Sequence, residues 1–350
     1  MINNEPFEFF IQWHLTERCN LRCRHCYQIE KRAEEMTLDE IAGVVGDISD
    51  LIESWSDAYD ITFAPSVNVT GGEPFLRHDL FQVLEVIGRR GFDIYVLSNG
   101  ILIDRDRAQD LSHHAVRGVQ VSLEGPEHIH DGIRGKGAFA GALKGVEFLI
   151  DAGLKVTLNV TLSALNADYV TDIVQVASAV GVQRLGFSRL VPSGRASGLA
   201  LNTLSTARVK ETYETIFSLD GMGVEIVTGD PVASQLKVSQ SEGGEDSFFK
   251  GGCAAGFSGL TFLPDGMITP CRRMGIPIGN VLRDSLREVW ATSPILEALR
   301  TRDAYKGKCR DCRRWSVCRG CRAIAYAYSV SRGENDFLAE DPQCPVNEAS

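Results

Sequence analysis

Ten cysteines fall into two groups that are far apart in the chain. Cys19, Cys23 and Cys26 lie within eight residues; Cys253, Cys271, Cys309, Cys312, Cys318, Cys321 and Cys344 fill the last hundred. Gaps of two to five residues suit thiolates that converge on a metal. A disulfide framework suits them poorly, because the chain is 350 residues long and begins without a secretory signal. Three close thiols can wrap an iron–sulfur cube and leave one iron without a protein ligand, whereas a cube that only carries electrons normally takes four. A zinc site or an incomplete electron-transfer cluster is the other reading of that spacing.

Positioning such groups falls to an alternating series of elements. Residues 9–15, 66–70, 92–98, 118–123, 155–161 and 184–190 are rich in Val, Ile, Leu and aromatics and read as strands. Residues 37–53, 79–90, 105–113, 138–152, 167–180 and 205–219 show helical spacing. Thr37 and Glu40 form a capping-box pattern, and Gly91, Gly153 and Gly181 stand where helices should stop. Six strand–helix units imply an α/β fold with a parallel sheet and right-handed crossovers, an open, partial (β/α)6 barrel. The first cysteines then sit past the first strand, at the end of a barrel where chemistry is expected. The pattern breaks near residue 221. Residues 1–220 read as the barrel and 221–249 as a bridging region, with 239–244 as the linker; 250–350 read as a cysteine-rich domain with a hairpin around Pro264-Asp265-Gly266.

Cys19-x3-Cys23-x2-Cys26 followed by Tyr27 resembles the defining motif of radical S-adenosylmethionine (SAM) enzymes, in which an open iron chelates SAM. Gly71-Gly72-Glu73-Pro74 resembles that superfamily's GGEP turn; its glycines would admit the methionine part, and Glu73 would accept from the ammonium. Later strand ends continue the likeness through Ser98-Asn99-Gly100, through Ser122-Leu123-Glu124-Gly125-Pro126 and through His130-Asp131-Gly132-Ile133-Arg134-Gly135. Glu124 replaces the usual Asp. Arg134 would pair with the SAM carboxylate, Asn159 would meet the ribose hydroxyls, and Leu190 would meet the adenine. Tyr27, Gly72, Ser98, Asn99, Ser122 and Glu124 complete the implied cofactor wall.

The last seven cysteines resemble the SPASM iron–sulfur domain, except that the final gap is one residue shorter than usual. The resemblance implies two auxiliary 4Fe-4S clusters, three in all with the SAM-binding one. Cys309, Cys312, Cys318 and Cys344 would hold one; Cys253, Cys271 and Cys321 would hold the other and leave one iron without a thiolate. A substrate thiolate, a water, a non-cysteine side chain or a loop residue would close that position. Zinc is the alternative for the whole block. Sulfatase-maturing members carry an extra cysteine here and an acidic residue after the second one. This chain has no cysteine at 254–259 and has Arg272-Arg273 instead, which weighs against that activity. The basic run from Arg300 to Arg322 would offset cluster charge, form a solvated face or bind an acidic peptide.

Hydrophobic content of 44% and charged content of 23% exclude a mostly disordered chain. A net charge of −10 argues against nucleic acid, and no apolar run is long enough to span a bilayer, so a cytoplasmic enzyme is expected. The leading expectation is a maturase that abstracts hydrogen from a ribosomally made peptide and forms a thioether or other crosslink. The partners implied are a peptide and an electron donor such as flavodoxin or ferredoxin. Since Cys19 lies too near the start for a leader-binding domain, a separate leader-binding protein or the C-terminal domain would recognise the leader, or the substrate carries none. Modification of a tetrapyrrole or other small metabolite is the second expectation; Val191-Pro192-Ser193-Gly194-Arg195-Ala196 does not separate the two. A non-catalytic electron carrier is the third.

Overall fold

The structure, a computed structural model, describes residues 6–28, 34–238 and 252–346. Its first part alternates β1 (Phe7–His14), α1 (Leu38–Tyr59), β2 (Phe63–Thr70), α2 (Leu80–Gly88), β3 (Asp93–Ser98), α3 (Arg105–His113) and β4 (Gly118–Ser122). It continues with α4 (Glu127–Arg134), α5 (Ala138–Asp151), β5 (Val156–Leu162), α6 (Val170–Val180), β6 (Arg184–Arg189) and α7 (Thr206–Ser218). Strands β1 to β6 are neighbours in chain order and all parallel, the arrangement that six strand–helix units impose. Thr37 closes the capping box on α1, and Gly91, Gly153 and Gly181 each take a positive φ between 76° and 80°.

Strand parity sets what faces the active end. In β5, Val156, Leu158, Val160 and Leu162 are buried, while Thr157, Asn159 and Thr161 point to the other face. β2 begins three residues before the expected start and includes Pro65, whose missing N–H is tolerated because pairing with β3 starts only at Ser66. Helix α4 occupies a stretch that was not among the expected helices, and it carries Arg134 on its last turn.

The alternation does not end near residue 221. After α7 the chain forms β7 (Glu225–Thr228), parallel to β6, and then α8 (Pro231–Val238). A four-residue strand inside an acidic, Gly-rich stretch leaves too short a periodic signal to stand out. The linker expected at 239–244 lies outside the described residues.

The cysteine-rich part is joined to the same sheet. β8 (Gly259–Phe262) runs parallel to β1, and β9 (Met267–Thr269) and β10 (Gly279–Asn280) add antiparallel, giving the order β10-β9-β8-β1-β2-β3-β4-β5-β6-β7. Gly259 permits this contact, since a Cβ there would meet the Phe10 ring at 2.7 Å. The remaining elements are short: α9 (Leu286–Thr292), α10 (Pro294–Arg300), α11 (Lys308–Asp311) and α12 (Arg322–Ser331).

A buried ion network fastens the far edge of the sheet to the last cysteine segment. Arg189, at the end of β6 and 1% exposed, donates to Asp230 at 2.6 and 3.0 Å and to Asp341 at 2.8 and 3.1 Å. Asp341 in turn accepts from the Cys321 backbone N–H at 2.9 Å. No described helix is long and apolar enough to cross a membrane.

Candidate active site

The C-terminal ends of the parallel strands surround one cavity, and the cysteine triplet opens into it. Cys19, Cys23 and Cys26 line it together with Tyr27, Gly72, Ser98, Asn99, Ser122, Arg134, Asn159 and Leu190. Two loops lock the triplet in place. Gly72 N–H donates to the Thr16 carbonyl at 2.7 Å, and Glu73 N–H donates to the Arg18 carbonyl at 2.8 Å. A Cβ on Gly71 would lie 2.6 Å from the Thr16 oxygen, and one on Gly72 would strike the Arg18 carbonyl. The glycines of this turn are therefore required by the cysteine loop itself, whatever they admit of a ligand.

The other side of the triplet is held by the segment after β6. Ala196 N–H donates to the Cys26 carbonyl at 3.1 Å, and Gly194, at φ 59°, packs on the Tyr27 carbonyl. This tight approach carries Arg195 into the cavity lining.

Glu73 and Glu124 stand behind the cavity wall, both fully buried. Glu73 accepts from Ser98 Oγ and from the Asn99 N–H, each at 2.9 Å. Burial pushes its carboxyl up to about 7 against those donors. Asn99 spends its amide on Asn20 Oδ1 at 2.8 Å, beside Cys19. Glu124 Oε1 accepts from Arg134 Nε at 2.9 Å and Nη2 at 2.6 Å, and lies 3.1 Å from His25 Nε2. Although burial opposes it, the Arg134 and His25 charges hold the Glu124 carboxyl well below the usual range. The pair aims the remaining guanidinium nitrogen of Arg134 at Cys23 Sγ, 3.8 Å away. Glu124 thus orients Arg134 and does not line the cavity.

Gln120, Thr161 and Ser188 also line the cavity and escaped the sequence reading. Gln120 and Thr161 lie two residues from Ser122 and Asn159 on the same strand faces, so parity was the signal that could have found them. Arg272 and Arg273 enter the lining too.

The C-terminal cysteines form two further sets. Cys309, Cys312, Cys318 and Cys344 line one small cavity with Lys308, Trp315 and Arg319. Cys271 and Cys321 both act on the half-buried Arg273, which lies against the Cys271 sulfur, and Cys321 and Cys253 act on one another. The short Cys318-Arg319-Gly320-Cys321 gap separates the two sets because Arg319 and Gly320 take consecutive left-handed conformations, at φ 64° and 61°. Much of the basic run holds this scaffold: Arg319 donates to the Cys253 carbonyl at 3.0 and 3.1 Å, Lys308 to the Cys344 carbonyl at 2.8 Å, and Arg322 to Cys309 Sγ at 3.6 Å.

The donor sets fit iron–sulfur clusters. Among the described residues no three His, Cys, Asp or Glu side chains converge closely enough for a single ion; the triplet lines the main cavity, and Cys309, Cys312, Cys318 and Cys344 line the small one. Burial pushes the Cys19 thiol up to about 11 and the Cys321 thiol up to about 12, and raises Cys23, Cys318 and Cys344 as well. A strongly positive centre would make thiolates of such groups at neutral pH.

The comparisons with known proteins follow the same division. The radical SAM superfamily model matches residues 13–177, and the SPASM iron–sulfur cluster-binding domain matches residues 253–313. The AdoMet-dependent heme synthase of Nitratidesulfovibrio vulgaris is 29% identical over 95% of this chain and 91% of its own. The PqqA peptide cyclase of Methylocella silvestris is 26% identical over 95% of this chain and 86% of its own. Streptococcus suis SuiB bound to S-adenosylmethionine has the same fold, with a TM-score of 0.76 at 15% identity over 97% of this chain and 78% of that one.

Proposed function

Because this chain belongs to the radical SAM superfamily and carries a SPASM iron–sulfur domain, we propose that it performs radical chemistry on a carboxylate-bearing small molecule of the tetrapyrrole class. The observation that carries this reading is the lining of the main cavity. Three thiols meet there with five arginines, and no Asp or Glu is among the described lining residues. Arg134 and Arg189 are paired with buried carboxylates behind the wall, while Arg195, Arg272 and Arg273 add positive charge to it. In a chain of net charge −10 such a surface selects an anionic substrate. A peptide was the leading expectation from the sequence. The arginine lining, together with a heme synthase relative that matches nearly end to end, puts the tetrapyrrole ahead.

Cys19, Cys23 and Cys26 would hold the SAM-binding cluster, and the Gly72 loop, Ser98, Asn99, Ser122, Arg134, Asn159 and Leu190 would surround the nucleotide. When bound and reduced by one electron, SAM supplies a 5′-deoxyadenosyl radical able to remove hydrogen from an unactivated C–H bond. Glu73 braces the Ser98–Asn99 turn and Glu124 aims Arg134, so both act through the groups they hold. A substrate that ends with a new double bond releases one further electron. Cys309, Cys312, Cys318 and Cys344, and Cys253, Cys271 and Cys321, would hold two acceptors, three clusters in all.

The test is anaerobic turnover with iron coproporphyrin III deuterated on its propionate chains. A changed tetrapyrrole mass with deuterium in 5′-deoxyadenosine supports the reading. A peptide remains the second reading on the strength of the PqqA peptide cyclase relative. An unchanged tetrapyrrole, beside a mass change in a peptide encoded next to this gene, would favour it.

A further inference from the structure

Arg272 has an unusual position and an unusual lack of partners. It lies three residues beyond β9, in the loop that leaves the hairpin that β8 fastens to β1, and β1 leads directly into the cysteine triplet. This topology delivers its guanidinium to Tyr27, whose ring centroid is 5.1 Å from the guanidinium carbon. The side chain is half-buried and lines the main cavity. Among the described residues it has that ring contact and a charge effect on His14, but no carboxylate, carbonyl or hydroxyl accepts from its five N–H donors. Next to it, buried Arg273 Nε also has no hydrogen-bond partner. Donors left in this state at the wall of a cavity call for an acceptor that arrives with a ligand.

The other cavity arginines are placed differently. Arg134 is committed to Glu124 and turned toward Cys23, and Arg189 is saturated by Asp230, Asp341 and Gln343. Arg272 stands instead on the side of the auxiliary thiols, one residue from Cys271, yet against Tyr27 of the triplet.

We infer that Arg272 is the anchor for a substrate carboxylate, gripping it between the SAM-binding thiols and the Cys271 loop so that a neighbouring carbon faces the radical. This rests on the tetrapyrrole reading above. The planar fork of a guanidinium matches a carboxylate through two parallel hydrogen bonds, and the Tyr27 ring holds that fork in orientation. Arg272 touches the unreactive end of the substrate, so it determines specificity and leaves SAM binding untouched.

The experiment uses the reconstituted holoenzyme under anoxia and measures binding, not turnover. Metal-free coproporphyrin III serves as a fluorescent probe, beside its tetraamide, in which every carboxylate is neutralised. The wild type is expected to bind the acid about 10- to 100-fold more tightly than R272Q does. It should bind the tetraamide no better than R272Q does, and R272K should recover part of the affinity. SAM affinity and iron content should match the wild type in both variants, which shows that they fold and load. Equal affinity of wild type and R272Q for the acid would overturn the anchor alone, as would a loss confined to SAM binding. Failure of the wild type to bind either porphyrin would overturn the tetrapyrrole reading and the anchor with it.

Discussion

Glu124 sits at the position where the related turn usually has the shorter Asp, and its environment shows what the longer carboxylate does. It neutralises a buried arginine, reaches His25 and accepts from the Thr161 N–H at 2.9 Å. Glu124→Gln leaves Arg134 buried without its counter-charge, so we expect a loss of about 3 kcal/mol in unfolding free energy, read by denaturant titration. His14 gives a pH prediction. Burial, with the Arg272 charge, lowers its pKa to about 3, so between pH 6.5 and 3 the unfolded chain binds a proton that the folded chain refuses. Stability therefore falls as pH falls through that window. At pH 5.5 the His14 contribution is about 1.4 kcal/mol less favourable than at neutral pH. The difference between wild type and His14→Gln should shrink by that amount between pH 7.5 and 5.5. At this scale the thiols were legible because clustered cysteines are chemically rare, whereas the polar strand ends were legible only through their resemblance to a known series of motifs. Glu73 and Glu124 were legible as residues, but their place behind the wall was not, since which side of a turn a carboxylate faces depends on long-range partners.

Among the elements, the first six strand–helix units could be read from periodicity, while the connections between the two halves could not. Nothing local marks Arg189, Asp230 and Asp341 as partners; they lie far apart in sequence and meet only when β6, α8 and the Cys344 segment pack together. Arg189→Met leaves two buried aspartates facing each other, and we expect about 3–5 kcal/mol of destabilisation. The double variant Arg189→Met/Asp341→Asn should recover part of it, which a double-mutant cycle measures. β7 was missed for a related reason, because four residues give too little alternation against an acidic, Gly-rich background. Gly194→Ala tests the segment after β6. A side chain there collides with the Tyr27 carbonyl at a left-handed φ, so the triplet loop should shift, and we expect iron bound by the triplet to fall while iron bound at the C-terminal cysteines stays.

For the molecule as a whole, one sheet carries both the triplet and the hairpin from which the Cys271 loop departs, so the cluster sites have fixed relative positions. Three cubes imply about twelve irons per chain, and Cys318→Ala should lower the count by about four. The claim on which the rest depends is that Cys19, Cys23 and Cys26 hold a cluster with one iron open to SAM. The direct measurement is 5′-deoxyadenosine formation by the fully loaded protein with SAM and a strong reductant under anoxia. The account predicts its release by the wild type and its absence from Cys23→Ala that retains the auxiliary iron. No 5′-deoxyadenosine from wild-type protein with every cluster loaded, or equal amounts from Cys23→Ala, would contradict it.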